Sequence, residues 1–190
     1  FPLQFTGDVE VTAHMVDRSK SYPPWLKKVK VDYDYNAGQA KAIVVEGLDS
    51  GKTFIRRYDT KREYMIQGGD FPVCRRSYLG EEMPLPEFPS QAVFQGTEDI
   101  DGSLCHHWLI EHGPSRVHVY SEVDTKLPRR VTDEVTIAVE PLMTYDFYNL
   151  SVGAAKPEAF ELPHPYTHED CGFVVSGFPY LHLFHHYFRF

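Results

Sequence analysis

The sequence predicts a mainly β protein, built as one strongly curved antiparallel sheet with one or two short helices. Three observations lead there: apolar and polar residues alternate with period two in segment after segment, turn-forming clusters separate the segments, and helical periodicity is scarce. Sequential strands joined by short turns favour a single curled sheet. A two-sheet sandwich would show the same face pattern, and periodicity alone does not separate the two.

The first strand is expected from Phe5 to Met15, where Phe5, Val9, Val11, Ala13 and Met15 alternate with Thr6, Asp8, Glu10, Thr12 and His14. In KVKVDYDYN, Val29, Val31, Tyr33 and Tyr35 take one face and Lys28, Lys30, Asp32 and Asp34 the other, before a turn at Asn36-Ala37-Gly38. QAKAIVVEG, KTFIRRYD and REYMIQ follow as short strands, separated by the turn compositions LDSG and DTK. RRSYLGEEMPLPEFPS is expected to be a long loop, because its prolines remove the donors a central strand needs.

The alternation resumes in QAVFQG, SLCHHWLIEH, RVHVYSEVD, RRVTDEVTIAVE and LMTYDFYNLSV, which makes about ten strands in all. SYPPWLKKV and KPEAFEL are the two places for a helical turn, each with proline early. There is no internal repeat. A chain of 190 residues is long enough for one domain with a sizeable core. It reads as a β domain over residues 1–163 and an aromatic, histidine-rich tail over 164–190.

The net charge of −8, with no local run of Lys or Arg, argues against nucleic acid as partner. No run of eighteen apolar residues occurs, so no spanning helix is expected. The first residue is Phe, which raises the expectation of a removed leader, and Asn149-Leu150-Ser151 is an Asn-X-Ser glycosylation acceptor. Together they point to a secreted or lysosomal (vacuolar) setting.

Three cysteines in an oxidising compartment leave one over after a single bridge. Cys74 and Cys105 flank the proline-rich stretch, and a bridge between them would close ~30 residues and contribute about 3–4 kcal/mol. Cys171 would then be free or bonded to another chain. Three buried, reduced cysteines are the alternative.

No catalytic signature is present: there is no Gly-X-Ser-X-Gly, no phosphate-cradling glycine loop and no His-Glu-X-X-His. His164, His168 and Cys171 could offer three zinc ligands from one loop, but they match no closed structural pattern, and hydrogen-bonding histidines are the preferred reading. His106 and His107 are adjacent on a strand and must face opposite ways, so they cannot share an ion. Cys171 makes a poor nucleophile, because Glu169 and Asp170 beside it would raise a thiol pKa. No metal or cofactor is expected, apart from a hydrophobic ligand in one reading.

The second half resembles a known arrangement. Gly102, Cys105 and Trp108 in DIDGSLCHHWLI form a Gly-X-X-Cys-X-X-Trp strand, Val117 to Arg130 form a strand, turn and return, and Tyr145 to Pro163 form a Tyr-X-Phe segment closing on Phe-X-X-Pro. These are similar to the N-terminal, LolA-like and non-catalytic region of two-chain papain-type cysteine proteinases of the counting-factor-associated type. Ependymin-related proteins are a near neighbour. Cys171, Phe173, Gly177 and His182 match the family's tail loosely, and its Pro-Gly turn is replaced by VVSGFPY.

The resemblance implies a LolA-like half-barrel and a non-catalytic accessory chain, cut from a larger precursor and associated with a papain-like catalytic chain. The alternative is a secreted or lysosomal carrier of a lipid or other hydrophobic ligand, held by the curled sheet. Under the first reading Phe173, Phe178, Tyr180, His182 and Phe184 form a partner interface, since aromatic residues bring large area at little entropy cost. Under a blander one they belong to the last core strand. A zinc hydrolase built on the histidine loop is a third reading, and it requires stoichiometric metal.

Overall fold

The computed structural model describes residues 1–14, 25–86, 90–135 and 142–178. They form one large, curved, open sheet of twelve strands: β1 Gln4–Ala13, β2 Trp25–Asp34, β3 Gln39–Gly47, β4 Lys52–Arg57, β5 Arg62–Gln67, β6 Val73–Tyr78, β7 Val93–Ile100, β8 Ser103–His112, β9 Ser115–Glu122, β10 Pro128–Val135, β11 Met143–Val152 and β12 Gly172–Phe173. Their spatial order is β12-β6-β5-β4-β3-β2-β1-β11-β10-β9-β8-β7. Each neighbouring pair is antiparallel except β12, which runs parallel to β6. Among the described residues a single 3-10 turn, Pro157–Phe160, stands where KPEAFEL placed it.

The main core lies on one face of the sheet. Register brings Val9 opposite Val29 and Phe147, and Val131 opposite Val119 and Tyr145, so β-branched and aromatic residues of five strands stack side by side. Phe5, Val9, Tyr33, Ile110, Val117, Val119, Val131, Tyr145 and Phe147 belong to one continuous buried cluster, and Val29 is buried as well. The chain after β6 crosses this face: Leu79 and Met83 are buried in the same cluster, and the Tyr33 hydroxyl donates to the Pro84 carbonyl at 2.6 Å. The proline-rich segment therefore acts as cover for the core.

The chain after β11 takes a different route. Leu162 and Tyr166 pack on the opposite face against Ile55, Tyr64 and Ile66, and Cys171 bonds to Cys74 there. β12 then pairs with the β6 edge, and the Ser77 hydroxyl donates to the Val174 carbonyl at 2.6 Å. Beyond it, the Phe178 amide donates to Glu63 Oε1 at 3.1 Å, and Phe178 packs on Val44, Phe54 and Met65, which share the face of the main core. The segment thus wraps around the sheet edge from one face to the other.

Several expectations change. The bridge is Cys74–Cys171, with Cα atoms 4.6 Å apart, and Cys105 is the free, buried thiol. Strand order explains this: β6 and β8 lie toward opposite ends of the sheet, so Cys74 and Cys105 cannot meet. RRSY belongs to β6 and is not loop, and Trp25 to Val29 of SYPPWLKKV are strand and not helix. The first strand ends at Ala13, and Met15 lies outside the described residues. No helix among the described residues is long and apolar enough to cross a membrane.

Candidate functional site

On the face opposite the main core, β1 and β7 to β11 present a patch of polar side chains with unusual burial. Thr144, Asp146 and His107 are each less than a tenth exposed. Alternation places them there: in β11, Tyr145 and Phe147 enter the core, so Thr144 and Asp146 must face the other way. A cavity of about 510 Å³ opens beside Thr144 and Asp146, with His14, His118, Tyr120, Arg130 and Glu134 also in its wall and Ile100 at its β7 end.

Each charged group in this wall has a counterpart. Arg130 Nε donates to Asp146 Oδ1 at 2.6 Å, and Arg130 Nη2 donates to Asp101 Oδ2 at 2.9 Å. Asp101 lies in the turn between β7 and β8, so this contact draws that hairpin over the face toward β10. His14 Nε2 and the Thr144 hydroxyl share a hydrogen bond of 2.7 Å.

A row of four side chains crosses four strands. His107 Nδ1 is 2.6 Å from Glu98 Oε1, His107 Nε2 is 2.7 Å from His118 Nδ1, and His118 Nε2 is 3.0 Å from Glu134 Oε1. The register makes this row diagonal: Glu98 is opposite Cys105, His107 opposite Tyr120 and His118 opposite Thr132, so each member reaches a neighbour two residues along. Tyr120 stacks on His107 with ring centres 4.5 Å apart. Burial, reinforced by the charge of Glu98, pushes the Tyr120 phenol up to about 12. The phenol stays a neutral donor.

Sequence reasoning placed His107 on a face opposite His106, and the structure shows that: His106 packs edge-on against Phe94. It missed Glu98, His118, Glu134, Arg130 and Asp146 as members of one group. The signal was register, which a sequence does not print. The His164, His168 and Cys171 loop does not converge on a metal site, because Cys171 is in a disulfide and His168 hydrogen-bonds Tyr64 at 2.9 Å and Arg76 at 3.0 Å. Among the described residues no group of three or more His, Cys, Asp or Glu side chains is arranged to hold a metal ion.

Of the expected partner-interface residues, Phe173 is exposed beside the Arg76 guanidinium and Phe178 is half-buried on the sheet. Tyr180, His182 and Phe184 lie outside the described residues. Asn149 is exposed in a β11 bulge at φ 53°, its side-chain amide donating to Asp8 at 2.8 Å.

No family model matches the chain, and no curated protein sequence matches it. Solved structures do. An uncharacterized conserved protein from Thermus thermophilus aligns over 92% of this chain and 91% of its own, with TM-score 0.60 and 9% identity. MucB aligns over 90% of this chain and 59% of its own, with TM-score 0.56 and 14% identity. The complex structure of Pseudomonas aeruginosa MucA/MucB aligns at TM-score 0.52 and 11% identity, over 84% of this chain and 56% of that one.

This chain therefore spans little more than half of MucB and shares its sheet. A LolA superfamily protein from Nitrosomonas europaea aligns at TM-score 0.43 and 10% identity, over 85% of this chain and 92% of its own, too loosely to carry weight. At these identities the likeness is one of fold.

Proposed function

We propose that this chain is a non-catalytic binding scaffold that holds a second polypeptide along its open sheet. The observation that carries the reading is β7. It ends the strand order, pairs with β8 alone among the described residues, and leaves seven of its eight residues partly or fully exposed. Such an edge offers unpaired N–H and C=O groups to an incoming strand. Val93 and Phe94, both at least half exposed, supply apolar contact at its start. MucB, whose fold this chain shares, has been solved with MucA bound, which supports a protein partner here.

In its finer form, the partner is a papain-like catalytic chain from the same precursor, and the catalytic groups belong to that chain. The support is the Gly102, Cys105 and Trp108 strand and the Tyr145 to Pro163 segment, both similar to the accessory region of those proteinases. A secreted or lysosomal setting follows the same reading. The Cys74–Cys171 disulfide accords with an oxidising compartment, and an exposed Asn149 with a glycan.

Native mass spectrometry without reductant, on protein purified from its own cells, tests this reading. A papain-like chain should co-purify, and the β7 amides should gain protection from hydrogen exchange in the complex. A chain that stays alone, or that itself cleaves peptides, overturns it.

The carrier reading has its own observation, the segment of residues 79–86 that covers the apolar face. A hydrophobic ligand would have to take that segment's place. Lipid recovered with the chain in the same spectrum, with no protein partner, would favour it.

A further inference from the structure

The diagonal row from β7 to β10 has three close contacts in series, Glu98 to His107, His107 to His118, and His118 to Glu134, at 2.6, 2.7 and 3.0 Å. Each is a hydrogen bond and needs one proton between its two heavy atoms. A neutral imidazole has one N–H and one acceptor nitrogen, and a carboxylate only accepts. Two neutral histidines bring two protons to three bonds. One contact is then left with lone pairs facing each other.

With a third proton every bond is made. His107 donates from Nδ1 to Glu98 and from Nε2 to His118, and His118 donates from Nε2 to Glu134. A further proton on the second ring would put two N–H groups face to face across 2.7 Å, and the central contact would have to open. We propose that His107 and His118 form a proton-binding pair that carries one shared positive charge between Glu98 and Glu134, and that ties edge strand β7 to β10 in that charge state alone.

The surroundings fit a single charge. On β8 the same face carries Cys105, an uncharged thiol that burial, with Glu122 next, pushes to a higher pKa. On β9 it carries Arg116, Tyr120 and Glu122, with Arg116 drawn to Glu111 at 3.1 Å. On β10 and β11 it carries Arg130 bonded to Asp146, with Asp101 from the hairpin turn, and just past the end of β1 His14 bonded to Thr144. The other cations in contact already have their own partners. The two glutamates therefore face one imidazolium. Imidazole is the side chain whose ordinary titration falls between pH 5 and 8, and that is the range in which the completing proton is to be sought.

The experiment is long-range proton–nitrogen correlation spectroscopy of the imidazoles in the full chain, labelled with nitrogen-15, from pH 4.5 to 8.5. In the middle of the range His107 and His118 together should show three protonated nitrogens and one acceptor. Their rings should titrate as a coupled pair, and the β7 amides should be least protected, relative to intrinsic exchange at each pH, at the two ends of the range. His118→Phe keeps a ring and removes the acceptor, so the coupling between the two rings should vanish and His107 should fall from two protonated nitrogens to one in the middle of the range. Should that variant fail to fold, Glu134→Gln replaces it and should weaken binding of the shared proton. Two independent neutral rings at neutral pH, or a His107 titration indifferent to both substitutions, would overturn the proposal. Neither outcome depends on whether β7 holds a partner strand.

Discussion

His168 is fastened by what its neighbours can donate. Arg76 has only N–H groups to offer, so at 3.0 Å its contact requires an unprotonated Nε2, and Nδ1 is left to the Tyr64 hydroxyl at 2.9 Å. Burial, then the charges of Arg62 and Arg76, hold the His168 pKa below its ordinary value. A depressed folded pKa means the unfolded chain binds the proton more tightly, so the contribution is full above about pH 6.5 and is lost as pH falls toward the folded value. The urea midpoint of the wild type should therefore drop between pH 7.5 and pH 5, and His168→Gln should flatten that drop. Equal slopes in the two proteins would count against it. Cys105 makes a second residue-scale prediction: its thiol is fully buried, and burial pushes its pKa up. Iodoacetamide should label no thiol in the native protein, one in urea without reductant, and three after reduction.

Single elements depend on contacts that alternation alone does not reveal. The 79–86 segment stays on the core partly through Tyr33, and burial keeps that phenol protonated well above its ordinary range. Tyr33→Phe leaves the Pro84 carbonyl without its donor and should cost about 1–2 kcal/mol in chemical denaturation. At the end of β3, Gly47 has φ 87°, and a Cβ there would lie 2.0 Å from the Leu26 carbonyl oxygen. Gly47→Ala should destabilise by at least about 2 kcal/mol, measured the same way, because the clash is with backbone that cannot turn aside. β3, β5 and β8 were legible to the residue, since each is a clean run bounded by turn residues. β6 was not, because VCRRSY carries two arginines and buries only Cys74 and Ser77. The second half of β7, Thr97 to Ile100, was missed for the matching reason: a strand exposed along nearly its whole length has few inward residues to set a period.

For the whole molecule, fold class was readable and strand order was not. The curved open sheet follows from alternation and short turns, while the pairing of β1 with both β2 and β11 depends on contacts far apart in sequence. The disulfide assignment failed on that account, since a plausible loop length says nothing about which strands become neighbours. The His–His row escaped notice for the same reason: Glu98 and Glu134 lie 36 positions apart, 134 − 98, and meet one continuous row only through register. The Cys74–Cys171 bond spans a sequence separation of 97, and opening a loop of that size by Cys74→Ala with Cys171→Ala should cost about 4–5 kcal/mol, read as a lowered denaturation midpoint.

The bond between residues 74 and 171 has a topological result as well. It makes a covalent ring of everything from β7 to β11, including both histidines of the row and the edge strand β7. A protease that nicks any link of this ring yields two pieces still joined through sulfur. They would run as one band on a non-reducing gel and part only when thiol is added.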